Sequence, residues 1–258
     1  MTKYDFTGRR ILVTGASRGI GEAIADGFAA AGGEVAILAE DEGVNETARR
    51  IAERTGGRLE ALRCDIADET EVRRILGGTG RIDILVNNAG YQPRTPLDDP
   101  SPEVDRAFRR VIEVNLLGTY FVTRQILPRM SRGGRIILTS SIWGKTGAAG
   151  YAGYCASKHA VLGFMRSLAL ELGPRGITVN AVCPGWVETE GAMWTVRDIA
   201  AETGRTPAAL IGDYLRHQPI PGMMAPRDLA ATYLFLASEA ADDITGQAIN
   251  VDRGHFIG

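Results

Sequence analysis

Tyr154 and Lys158 stand four residues apart in a segment of helical period, so both side chains project from one face and an ammonium can sit close to a phenol. A free phenol titrates near 10, and serving as a base near neutrality requires a drop of about three units, on the order of 4 kcal/mol of preferential stabilisation of the phenolate. A neighbouring cation has the right sign for that. An isolated Y-x-x-x-K is equally an ordinary helix face, so the pair needs company. Near the N-terminus the string TGASRGIG, Thr14 to Gly21, places Gly15, Gly19 and Gly21 where a strand would pass into a helix. Three such glycines let backbone turn tightly, approach a pyrophosphate and pack helix on strand, with the helix N–H groups presented to phosphate oxygens. The same string is also a plain tight turn unless it opens a βαβ unit.

That context is present. Short β-branched runs alternate with longer helix-period segments, the sequence form of an α/β fold: a single doubly wound, Rossmann-type parallel sheet flanked by helices. Strands are expected at Arg10 to Val13, Val35 to Leu38, Leu59 to Arg63, Ile82 to Val86, Arg135 to Thr139, Thr178 to Val182 and Ala248 to Val251, all reading as buried. Helices are expected from about Ile20 to Ala31, Val44 to Thr55, Glu69 to Leu76, Pro102 to Met130, Tyr151 to Leu172 and Pro226 to Ser238. The stretch from Glu188 to Pro221, rich in Met, Trp, Gly and Pro, reads as a substrate lid with one short helix over Ala208 to Arg216. No repeat or linker interrupts the rhythm, so one domain over 1–258 is expected.

Composition narrows the partners. The chain has 258 residues, 29 basic against 31 acidic side chains, and 32 glycines, a Gly share well above the usual ~7%. Its near-neutral balance argues against a nucleic-acid footprint or an anionic membrane surface. Cys64, Cys155 and Cys183 are odd in number and far apart, which disfavours a disulfide framework or a structural zinc site. His159, His217 and His255 share no metal-ligand spacing, so no metal is expected. The polar start MTKYDFTGRR and the absence of an apolar run near the ~18 residues of a membrane span lead to an expected cytoplasmic protein.

Taken together, the motifs resemble the short-chain dehydrogenase/reductase family over essentially the whole chain. The motifs that carry the resemblance stand in order: T-G-x-x-x-G-x-G at Thr14 to Gly21, Asp65, NNAG at Asn87 to Gly90, Asn115, Ser141, YCASK at Tyr154 to Lys158, Cys183-Pro184-Gly185 with Thr189, and the closing ITGQAINVD at Ile244 to Asp252, where Arg253 replaces a usual glycine. The resemblance implies interconversion of a secondary alcohol and a ketone, with hydride moving to or from a nicotinamide. Ser141, thirteen residues before Tyr154, would hold the substrate oxygen. Tyr154 would exchange the hydroxyl proton, Lys158 would bind the nicotinamide ribose and lower the Tyr154 pKa together with the nicotinamide charge, and Asn115 would anchor a relay water. It further implies cofactor contacts from Gly15, Ser17, Arg18, Gly19, Ile20, Glu40, Asp65, Ile66, Asn88, Ala89, Gly90, Pro184, Gly185, Val187 and Thr189. Asp65 would accept from the adenine amino group, unless it is simply a helix N-cap. A homotetramer packed through the two long helices is the family expectation.

At the end of the second strand Ala39 takes the place of the family's usual aspartate, and Glu40 and Asp41 follow. Carboxylates there favour NAD by bonding the ribose 2′-hydroxyl and repelling a 2′-phosphate, whereas Arg18 is a residue some NADP-preferring relatives use. For the substrate, Gln92 matches relatives that act on 3-hydroxybutyrate, but Trp143 and Tyr151 replace their carboxylate-binding histidine and lysine. With Trp186, Met193 and Trp194 these would wall an apolar pocket suited to a small cyclic, aromatic or sugar-like molecule. Arg94 and Lys145 could supply a polar end. A 3-oxoacyl or polyketide ketoreductase using NADPH is the alternative, an epimerase or lyase on the same fold a further one, and a catalytically silent dinucleotide sensor the remote one.

Overall fold

A computed structural model describes residues 4–257. Seven parallel strands form one sheet in the order β3-β2-β1-β4-β5-β6-β7: β1 Arg10–Thr14, β2 Glu34–Ala39, β3 Leu59–Arg63, β4 Ile84–Asn87, β5 Arg135–Thr139, β6 Thr178–Pro184 and β7 Ala248–Val251. Strand β1 pairs with β2 on one side and β4 on the other, so the chain winds outward in both directions from this point and opens a crevice above the strand C-termini. Helices cover both faces. Ile11 and Val13 pack with Ile24 and Phe28 of α1 (Gly19–Ala30), Val44 and Ile51 of α2 (Gly43–Thr55), and Leu229 and Tyr233 of the last helix, Pro226–Ala237. Leu12, Ile136 and Leu138 face Val72 and Leu76 of α3 (Glu69–Leu76), Val122 and Ile126, and Val161 and Met165. Both sides of each central strand are thus apolar, which is why those strands read as continuous hydrophobic runs.

Four expectations need correction. Strand β3 is an edge, with Glu60 and Arg63 exposed, and Glu60 pairs with Arg10 at 2.8 Å. The fourth strand begins at Ile84, because the Asp83 carboxylate accepts from the Arg10 N–H at 2.9 Å. The helix expected from Pro102 to Met130 is broken into α4 (Pro102–Ile112), a π-helical turn (Glu113–Gly118), α5 (Thr119–Ile126) and a 3₁₀ turn containing Pro128. The π turn ends at Gly118, where a Cβ would lie 2.6 Å from Cγ1 of Ile66, so a larger residue has no room beside the loop after β3. The lid carries two helices, α7 (Glu190–Thr203) and α8 (Pro207–Leu215), between the long helix α6 (Ala152–Leu172) and α9 (Pro226–Ala237). Helix α7 was not foreseen; the Thr189 hydroxyl caps it by accepting from the Ala192 N–H at 3.2 Å.

Candidate active site

The glycine turn is built by contact. Gly15 has φ +65°, and a Cβ there would stand 2.6 Å from the Ala89 Cα; one on Gly21 would stand 2.2 Å from the Gly15 carbonyl oxygen. Neither position accepts a side chain. The loop after β4 braces the turn: the Asn88 side chain donates to the Thr14 and Gly15 carbonyls, both at 3.1 Å, and the Thr14 hydroxyl accepts from the Asn88 and Ala89 N–H groups. Arg18 precedes α1 in an extended conformation without a side-chain cap, so the first-turn N–H groups are available to an anion. This cradle, closed to any side chain and lined by free helix N–H groups, fits a dinucleotide pyrophosphate.

Beyond the glycine turn the crevice ends in a network of charges. Asp41 accepts from the Ser17 hydroxyl at 2.8 Å and lies 3.5 Å from Arg18. Arg110, on α4, reaches Glu40 at 3.3 Å and Asp65 at 2.7 Å. Asp65 is not the cap of α3; that is Asp68, which accepts from the Thr70 and Glu71 N–H groups. Arg110 carried no signal in the sequence beyond its charge, since only the packing of α4 brings it over the crevice.

The reacting groups converge at the ends of β5 and α6. Ser141 opens the 3₁₀ turn after β5, and its hydroxyl accepts from the Trp143 N–H at 3.1 Å. The neighbouring Ser140 is used differently: its hydroxyl donates to the Lys158 carbonyl at 3.0 Å. Tyr154 and Lys158 are both buried. Burial pushes the Tyr154 hydroxyl well above the ordinary phenol range, opposed by a hydrogen bond from Ser141; burial lowers the Lys158 ammonium to about 8. The Lys158 ammonium lies over the Tyr154 ring and donates to the Thr139 carbonyl at 2.8 Å. Asn115, in the π turn, accepts from the Tyr91 N–H at 2.7 Å and donates to the Tyr91 carbonyl at 3.0 Å and the Ser157 hydroxyl at 2.9 Å.

One cavity of about 860 Å³ joins these parts. Gly15, Ser17, Arg18, Gly19, Ile20, Glu40, Asp65, Ile66, Asn88, Ala89, Gly90, Pro184, Gly185, Val187 and Thr189 all line it, as do Ser141, Tyr154, Lys158, Gln92, Trp143, Trp186 and Trp194. Asn115 stands behind the wall, beneath Tyr91. Tyr151 and Met193 do not line it. Tyr151 is buried against Trp143, ring centres 5.0 Å apart, because its backbone bridges to Thr95 and its ring is pressed inward. Arg94 is paired with Glu202 of α7, and Lys145 donates to the Ala248 carbonyl at 2.7 Å, so neither provides the polar end considered for the pocket. Lining residues that the sequence did not single out include Tyr91, Asp198 and Tyr214. Among the described residues no His, Cys, Asp and Glu cluster suits a metal ion, and no helix is long and apolar enough to cross a membrane.

Comparison with known proteins follows this geometry. A family model described as enoyl-(acyl carrier protein) reductase matches residues 15–255. The L-fucose dehydrogenase of Bos taurus is 36% identical over 98% of this chain and 91% of its own length. The 3-oxoacyl-(acyl-carrier-protein) reductase of Aquifex aeolicus (strain VF5) is 36% identical over 96% of this chain and 98% of its own. A crystal structure of an actinorhodin polyketide ketoreductase variant with NADPH superposes with a TM-score of 0.88 at 34% identity, covering 96% of this chain and 97% of that one.

Proposed function

The chain belongs to the short-chain dehydrogenase/reductase family and is an NAD(P)-dependent oxidoreductase of CH–OH groups; from that premise we propose that it interconverts a secondary alcohol and a ketone on a small cyclic, aromatic or sugar-like substrate, with NAD as the preferred dinucleotide. The observation that carries this reading is the composition of the cavity wall. Ser141 and Tyr154 share it with Trp143, Trp186, Trp194 and Tyr214, while its two arginines are committed to carboxylates, Arg18 to Asp41 and Glu190 and Arg110 to Glu40 and Asp65. Aromatic faces suit a ring or the C–H face of a sugar.

A bound nicotinamide dinucleotide supplies the hydride acceptor or donor. The protein's own part is to place and protonate. The Ser141 hydroxyl, held by the Trp143 N–H, orients the substrate oxygen. The Tyr154 hydroxyl removes the alcohol proton on oxidation or returns it on reduction, as general base or acid. Lys158 is buried beside that phenol as the ribose ligand, and Asn115 fixes the Tyr91 backbone and provides the anchor for a relay water. Support for NAD comes from Glu40 and Asp41: a 2′-phosphate would add negative charge beside two carboxylates. Against NAD stand the solved relatives that hold NADP or NADPH and the pairing of Glu40 with Arg110 and of Asp41 with Arg18.

The test is fluorescence titration of the purified protein with NADH and with NADPH, followed by turnover at 340 nm with L-fucose, cyclohexanol and 1-phenylethanol as alcohols and an acetoacetyl thioester as the chain-type ketone. Tighter NADH binding with oxidation of a ring alcohol is expected. Tighter NADPH binding with thioester reduction as the dominant activity replaces this reading by that of an acyl or polyketide ketoreductase.

A further inference from the structure

One aromatic ring of the cavity wall comes from the second lid helix. Tyr214, on α8, lines the cavity, with its ring centre 4.4 Å from Trp186 and 4.5 Å from His255, the latter pair nearly parallel at 10°. Trp143, on the same cavity wall, meets the Tyr154 ring edge to face at 6.0 Å. Tyr214 therefore shares the cavity with Tyr154 and Trp143 and packs against Trp186 within it. Its own position is fixed from behind. The tail that carries His255 is locked by Asp252, whose carboxylate accepts from the Gly254 and Phe256 N–H groups at 3.0 and 2.8 Å. Arg253, held at φ 57°, donates to the Pro221 carbonyl at 2.7 Å, and its carbonyl accepts from the Ile220 N–H at 3.2 Å. The tail thus grips the segment that follows α8 while His255 backs the ring that α8 delivers.

We propose that Tyr214 is a specificity-determining residue of this site: backed by His255 of the C-terminal tail, its ring forms the third aromatic wall, fitting the cavity to a compact ring and obstructing a linear chain. The proposal rests on the alcohol–ketone reading given above. Three faces, Trp143, Trp186 and Tyr214, enclose the space in front of Tyr154, so a ring meets apolar surface on several sides at once. An extended chain has to displace Tyr214 and forfeit its stacking on both neighbours. His255 touches neither the cavity nor Tyr154; it is a positioning residue for Tyr214.

The test compares cyclohexanone with 2-octanone as substrates of the full chain, taking the ratio of their kcat/KM values. Tyr214→Ala is expected to lower the ratio about tenfold or more, chiefly by raising KM for cyclohexanone, while Tyr214→Phe keeps it within about threefold. His255→Ala lowers it in the same direction, and His255→Phe, which retains a flat ring, restores it. NADH titration of each variant checks that the fold and the nucleotide end persist. A second readout needs no turnover: acrylamide quenching of tryptophan fluorescence rises in Tyr214→Ala and His255→Ala, and returns to the native level in Tyr214→Phe and His255→Phe. A ratio unmoved by Tyr214→Ala overturns the proposal. If the native chain turns over neither ketone, the alcohol–ketone reading is what fails for these probes, and quenching decides the tail-held wall: unchanged quenching in both alanine variants overturns it.

Discussion

The Lys158 Nζ stands 5.5 Å from the centre of the Tyr154 ring and gives its hydrogen bond to the Thr139 carbonyl, 2.8 Å away. The cation therefore ties α6 to the end of β5 rather than reaching the phenol oxygen. Both groups are buried, and burial acts on them in opposite senses: the phenol is held protonated, the ammonium is held less firmly than in water. Near neutrality the phenol is uncharged whereas the ammonium still carries its charge in a buried setting, and the fold bears a stability penalty for holding it there.

That penalty sets the first prediction. Lys158 falls from an ordinary value of 10.5 to about 8 in the folded chain. Between those values the unfolded chain holds a proton that the folded chain does not, so stability rises with pH across that window, and below it the penalty is complete. Lys158→Met removes the buried ammonium at the loss of one hydrogen bond to Thr139. The net expectation at pH 7 is a gain of about 2 kcal/mol with loss of turnover. Thermal melts from pH 7 to 10.5 should show the gain over the native chain shrinking as pH rises; a variant less stable at pH 7 contradicts the account.

Gly21→Ala tests the cradle. Its new Cβ would meet a backbone oxygen at 2.2 Å, and backbone cannot yield as a flexible side chain does. Overpacking of this kind costs about 1 to 3 kcal/mol, and the turn it distorts is the one that holds the pyrophosphate. NADH affinity is expected to fall at least about tenfold in a fluorescence titration. Gly163→Ala is the control, since nothing stands near its Cβ, and it should bind NADH as the native chain does.

What the sequence made legible is what short-range chemistry determines. The glycine turn, the Tyr154 and Lys158 spacing and the buried strands depend on residue type and period, and the structure brings all but Asn115 of the nucleotide and reacting residues onto one cavity wall. The break in the 102–130 segment leaves no local mark in the sequence, and the close approach of Gly118 to Ile66 within it joins residues far apart in the chain. Tyr151 and Tyr214 illustrate the same limit in the pocket. Both are aromatic residues in polar or small-residue surroundings, yet Tyr151 is drawn inward by its bridge to Thr95 while Tyr214 is delivered to the cavity by a lid helix backed by the tail. Arg110 was silent for a related reason, as its two carboxylate partners come from separate loops.

Glu40→Arg examines the nucleotide end. Glu40 is exposed at the lip of the cavity and paired with Arg110. Replacing it removes a charge that opposes a 2′-phosphate and supplies one that attracts it. The ratio of NADH to NADPH affinity should move toward NADPH by about tenfold or more, equivalent to some 1.4 kcal/mol. Raising the salt concentration should reduce the shift, because the contact is exposed. An unaltered ratio would place the discrimination elsewhere, with Arg18 the next residue to replace.

Asn115→Ala separates a structural from a catalytic contribution at the π turn. The buried Asn115 amide satisfies both the N–H and the carbonyl of Tyr91 and donates to the Ser157 hydroxyl within α6. Truncation leaves those partners unmatched at a cost of about 2 to 3 kcal/mol, which for a chain of this length lowers Tm by roughly 4 to 10 °C. The Tyr91 loop carries Gln92 into the cavity, so substrate KM should rise as well. Nucleotide affinity should hold, because Asn88 and Thr14 brace the glycine turn independently of Asn115. Melting curves, NADH titration and the KM of the preferred alcohol, taken together on this one variant, test that division: a fall in NADH affinity as large as the rise in KM would mean that the two loops move as a unit.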